Sequence, residues 1–118
     1  MKKSKAYIAG PITSIPGNIA EMKFTQARLI LKLYGYDVID PYLLNKGIKR
    51  TWLGYMIVDF LFLIKCDTIY MLRGWKQSKG AKIERFIAQI LRMQIKYQEI
   101  HSIPIVLKSP KCRNNQIQ

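Results

Sequence analysis

The sequence predicts an α/β domain, a small flavodoxin-like or Rossmann-like three-layer sandwich with a parallel sheet of about four or five strands. Three observations carry this expectation. Short strand-forming runs alternate with segments of helical periodicity, the pattern of a parallel sheet covered by helices on both faces. The run Cys66-Asp67-Thr68-Ile69-Tyr70-Met71-Leu72 is nearly all apolar after Asp67, as expected of a strand buried on both sides. Finally, Tyr7-Ile8-Ala9-Gly10-Pro11 carries a strand-forming run into a Gly-Pro corner just ahead of an amphipathic segment. Ligands of open α/β sheets bind beyond the carboxyl ends of the strands, so that corner lies where chemistry is expected. Right-handed crossovers favour the strand order 2-1-3-4.

The elements follow in order. Residues 5–10 read as the first strand. Residues 18–34 read as a helix, with Asn18 and Glu21 as a capping box, Ala20, Phe24, Ala27, Leu31 and Tyr34 inward, and Gly35 as its stop. Residues 36–40 form a short second strand closed by Pro41, and residues 43–50 a loop. Thr51 caps a second helix reaching about Lys65, with Trp52, Met56, Phe60, Leu63 and Ile64 inward. Residues 66–72 are the third strand. A third helix spans 81–97 with Ile83, Ile87, Ile90, Leu91 and Ile95 inward, and residues 103–107 form the fourth strand. One domain of residues 1–108 and a polar tail of 109–118 complete the chain, with no internal repeat.

Composition narrows the function. At 118 residues the chain suits one domain, and 49% hydrophobic residues argue against disorder. The longest apolar run, from Leu53 to Ile64, is broken by Asp59 and falls short of the ~20 residues of a membrane span. No signal peptide is recognisable, so a cytoplasmic protein is expected. Cys66 and Cys112 lie far apart without metal-ligand spacing, and His101 stands alone, so neither a metal nor another cofactor is expected. The net charge of +13 is scattered over the chain without a dense cluster. It fits a solvated basic surface or a phosphorylated small-molecule ligand better than a nucleic-acid site, since no nucleic-acid motif accompanies it.

The sequence holds seven acidic residues. Glu21 belongs to the capping box. Asp37, Asp67 and Glu99 fall at the amino end of the sheet, away from a ligand crevice, and Asp40 before Pro41 reads as a turn former. Glu84 stands in the first turn or so of the third helix, where the helix N-terminus would keep it ionised and nucleophilic at neutral pH. A routine first-turn carboxylate is the competing reading. Asp59 lies mid-helix among apolar neighbours, about 12 Å along the axis from Thr51 at a rise of ~1.5 Å per residue. Burying it there requires a function or a structural ion pair with Lys or Arg. The loop 74–80, with Gly74, Gly80, Ser78 and several lysines, could cradle an oxyanion, although it is neither a Walker A sequence nor a Gly-x-Gly-x-x-Gly motif.

Taken together, the segments Tyr7-Ile8-Ala9-Gly10-Pro11-Ile12, Asn18 with Phe24 and Ala27, Gly35 through Pro41, and Trp52 with Met56 and Asp59 resemble the nucleoside 2-deoxyribosyltransferase superfamily. Cys66 through Leu72, Gly74-Trp75, Ser78, Gly80-Ala81 and Glu84 continue the resemblance, which is nearest to a small bacterial and phage branch. The resemblance implies Glu84 as the nucleophile at an anomeric carbon, Tyr7 holding it and Asp59 at the nucleobase. It implies substrate binding by Gly10, Pro11, Ile12, Pro41, Gly74, Trp75, Ser78 and Gly80, with Gly10 allowing close approach of the sugar. Classical transferases carry aspartate six residues before the nucleophile, where this chain has Ser78. Serine there is similar to deoxynucleoside 5′-monophosphate N-glycosidases, which points to a nucleotide ligand. The expected activity is cleavage or transfer at an N-glycosidic bond, by a homo-oligomer associating through helix faces carrying Trp52, Tyr55 and Phe62. The alternative is a non-catalytic protein that binds or sequesters a nucleotide-derived ligand.

Overall fold

A computed structural model of the protein describes residues 3–12 and 15–98. Its centre is a four-stranded, all-parallel sheet of β1 (Lys5–Ala9), β2 (Asp37–Ile39), β3 (Thr68–Met71) and β4 (Gln94–Tyr97). The strand order is β2-β1-β3-β4. Tyr7 stands opposite Ile39 on one side and Ile69 on the other, so the residue singled out by sequence sits on a central strand. Alternation along the strands divides the core in two. Ala6, Ile8, Tyr70 and Leu72 pack with Phe24, Ala27 and Leu31 of α1 (Gly17–Leu33). On the opposite face Tyr7, Ala9, Ile69 and Met71 pack with Leu63 of α3 (Trp52–Leu63) and with Ala81 and Ala88 of α4 (Lys79–Ile90). The protein is therefore an α/β, Rossmann-like three-layer fold. No described helix is long and apolar enough to cross a membrane.

The local chemistry departs from expectation at several points. The capping box of α1 is not formed: Pro16 is the N-cap, and the Glu21 carboxylate instead accepts from Lys46 Nζ at 3.2 Å. Tyr34 is exposed rather than inward. Asp40 is more than a turn former. Its carboxylate caps Leu43 N at 3.2 Å and pairs with Arg28 at 2.9 Å, opening a short helix α2 (Pro41–Leu44) within a stretch read mainly as loop. Asp-Pro is the signature of an N-cap followed by a first-turn proline.

Thr51 does cap α3, its Oγ1 accepting from Gly54 N at 3.0 Å. The inward face of α3 is narrower than its hydrophobicity implies: Asp59 and Leu63 are buried, while Trp52, Phe60 and Ile64 are exposed. Helix α4 departs most from the sequence expectation. It ends at Ile90, Arg92 turns the chain through a left-handed conformation at φ 60°, and β4 follows at once. Ile87, Leu91 and Ile95 keep helical spacing across that break, and the turning residue is not glycine, so periodicity alone ran the helix on to Tyr97. Ile90 and Leu91 are consequently exposed. The strand expected at 103–107, Glu99, His101, Cys112 and the 109–118 tail lie outside the described residues.

Candidate functional site

The carboxyl edge of the sheet opens into a cavity of about 400 Å³. Its walls come from the end of β1, from Phe24 of α1, from α2 and the loop after it, from α3 between Trp52 and Asp59, and from the start of α4. Glu84 closes the cavity at its inner end, and Tyr7 lies behind it, in contact with Glu84 but not lining the cavity. Tyr7 projects from β1 on the α3/α4 face, and its hydroxyl donates to Glu84 Oε2 at 2.6 Å. Tyr7 is fully buried, and Glu84 is 6% exposed yet lines the cavity.

Glu84 stands in the second turn of α4, counted from its N-cap Ser78, beyond the single turn over which a helix dipole acts strongly. The expectation of an ionised Glu84 at neutral pH is therefore corrected. Burial raises its pKa to about 8, against the opposing effect of the Tyr7 hydrogen bond, with Asp59 adding a further upward push. Burial, followed by the charges of Glu84 and Asp59, raises Tyr7 well above the ordinary phenol value, so Tyr7 remains a proton donor.

Asp59 lines the same cavity and is 8% exposed. Among the described residues its hydrogen-bond partner is an amide rather than a lysine or arginine: Asn45 Nδ2 donates to Oδ1 at 3.0 Å. Burial raises the Asp59 pKa, while that hydrogen bond and the charge of Arg50 pull it down. Two carboxyl groups thus share one small chamber, both displaced toward their protonated forms. Such displaced acids suit proton transfer and hydrogen bonding to a bound ligand.

The other sequence-derived candidates divide. Gly10, Ile12, Pro41, Ser78 and Gly80 line the cavity. Gly10 has a packing reason to be glycine, since a Cβ there would lie 2.8 Å from the Leu72 side chain. Gly80 lets α4 approach α3, a Cβ meeting Met56 Sδ at 3.2 Å. Ser78 is the N-cap of α4, its Oγ accepting from Ala81 N at 3.1 Å. Pro11, Gly74 and Trp75 do not line the cavity. Gly74 occupies a left-handed conformation at φ 88° that leads into a 3-10 turn at Trp75–Gln77. Trp75 packs beside Tyr97 under the Arg85 guanidinium, which lies 4.9 Å from the indole.

Sequence reasoning missed Asn45, which belonged to a stretch read as featureless loop. Lys79, one of the lysines of the 74–80 segment expected to favour a phosphate, has its ammonium 4.9 Å from the Trp52 ring at the cavity wall. The Asp-Pro helix start was the available signal for Asn45, because Asn45 is the C-cap of the helix it opens. No signal paired Lys79 with Trp52, residues brought together by helix packing. Among the described residues no group of three or more His, Cys, Asp or Glu could hold a metal ion.

No curated protein matches the chain. Residues 4–97 match the family described as Domain of unknown function (DUF4406), and that span contains the whole sheet and every wall of the cavity. The chain belongs to this family.

Proposed function

We propose that the protein cleaves or transfers the N-glycosidic bond of a nucleoside 5′-monophosphate or nucleoside, with Glu84 as the nucleophile. The observation that carries this reading is the Tyr7–Glu84 pair at 2.6 Å with Asp59 in the same cavity. In the ionised form, a Glu84 oxygen attacks the anomeric carbon as the bond to the base breaks. The bonding electrons go to the base nitrogen, and a protonated Asp59 supplies the proton the base needs to leave. Water or an acceptor then releases the sugar from Glu84. Tyr7 holds the carboxylate in line through its hydrogen bond. Ser78 Oγ accepts from the helix, which leaves its hydroxyl hydrogen for a phosphate oxygen, and Lys46 and Lys79 line the cavity as counter-charges.

One observation favours a second reading. A Glu84 held near a pKa of about 8 is mostly protonated at pH 7, a weak nucleophile but a good hydrogen-bond donor, as a non-catalytic nucleotide binder would use it. Incubation with a panel of nucleosides and nucleotides from pH 6 to 9, following free base by chromatography, separates the two. The enzyme reading predicts base release with a bell-shaped pH dependence, because Glu84 must be ionised while Asp59 is protonated. Binding without base release at any of these pH values would favour the binder.

A further inference from the structure

Asn45 is placed as a junction rather than as a loop residue. Its Nδ2 donates to Pro41 O at 2.9 Å and to Asp59 Oδ1 at 3.0 Å, and its Oδ1 accepts from Arg50 Nε at 3.3 Å. This pattern fixes the amide orientation, because a flipped amide would set an oxygen against two acceptors and a nitrogen against a donor. The loop carrying the junction is fastened at two more points. Tyr55 Oη donates to Ile48 O at 2.7 Å, and Lys46 pairs with Glu21 of α1. Asp59 Oδ2, by contrast, accepts no hydrogen bond from a described residue. Arg50 from the loop is the charged group that lowers the Asp59 pKa, and Asp59 in turn raises Glu84 of α4 and Tyr7 of β1, while Lys46 of the loop and Lys79 of α4 line the same cavity.

We propose that Asn45, oriented by Arg50, is a positioning residue that ties one oxygen of Asp59 and reserves the other for a ligand nitrogen. The inference rests on the reading of Asp59 as the base-facing acid, and it adds the element that sets that acid's orientation and protonation. An amide donor favours the ionised form of the carboxylate it bonds, and so does the nearby guanidinium. The loop thereby opposes the effect of burial and keeps Asp59 able to exchange a proton with a heterocyclic nitrogen. An Asp59 without the junction would stay protonated over a wider pH range. It would also be free to rotate, giving up the fixed approach needed to distinguish one base edge from another.

The test is a titration of the Asp59 side-chain carboxyl by carbon-detected NMR in the intact chain, assigned with Asp59→Asn. Asn45→Ala should raise the midpoint by about one pH unit or more. Arg50→Gln should raise it less, and Asn45→Asp, which sets a second carboxylate beside the first, should raise it most. A packing role alone predicts no such order. A midpoint within about 0.3 units of wild type in Asn45→Ala would overturn the proposal. Arg50→Gln, at an exposed position, keeps the test decisive if Asn45→Ala does not fold: an unchanged midpoint there overturns the relay. No substrate enters the titration, so its failure removes the relay alone, whereas absence of base release bears only on the proposed activity.

Discussion

Glu84 shows how a single residue links stability to chemistry. Its folded-state pKa of about 8 lies above the unfolded value of ~4.3, so the folded protein binds the extra proton. Its stabilising contribution is complete below about pH 4 and is lost as pH rises through about 8. Glu84→Gln keeps an amide partner for Tyr7 and cannot ionise. The melting temperature of the variant relative to wild type should therefore rise by roughly 5 °C or more between pH 5 and pH 9. Parallel melting curves over that range would show that Glu84 ionises as an ordinary carboxyl. The same position illustrates what the sequence conceals. Glu84 could be picked out as a carboxylate after a strand and near a helix start, but its burial depends on β1, α3 and α4 closing around it. Only three-dimensional packing turns the expected anion into a group that resists ionisation.

At the scale of elements, the start of α4 carries two duties at one residue. Ser78 caps the helix and also faces the cavity. Ser78→Ala should cost about 1 kcal/mol of stability through the lost cap. On the proposed phosphate reading, it should also reduce a preference for nucleotide over nucleoside of about ten- to hundredfold. Calorimetry showing equal affinity for nucleotide and nucleoside in the wild type would remove the phosphate role and leave the cap. The elements themselves were legible where the pattern was local: β1, α1, the Thr51 cap of α3 and the apolar β3 all follow from periodicity and turn chemistry. The end of α4 was not, because Arg92 adopts the left-handed turn usually given to glycine while the apolar spacing continues. Nor was α2, where Asp40-Pro41 serves a helix start rather than a turn.

For the whole molecule, α3 raises the question of assembly. A helix apolar on all sides is normally covered on all sides, yet Leu53, Ile57, Leu61 and Ile64 form an exposed stripe along it, with Leu53 63% accessible. Of the residues expected at an interface, Trp52 is exposed, while Tyr55 and Phe62 are half-buried, Tyr55 fastening the loop and Phe62 packing on the core. We propose that the stripe meets a second copy of the chain, next to the cavity wall formed by the first turns of α3. Light scattering at micromolar concentration should give at least a dimer, and Ile57→Lys should shift it toward monomer. A wild-type monomer would contradict this.

Base release compared between wild type and Glu84→Gln decides whether Glu84 performs the proposed covalent chemistry on a nucleotide. With nucleoside 5′-monophosphates at about pH 8, near the Glu84 pKa, the wild-type protein is predicted to liberate free base. The variant, folded to the same extent, is predicted to be slower by about a thousandfold or more. No base release by the wild type, or a variant within a few-fold of it, would rule out Glu84 as the nucleophile.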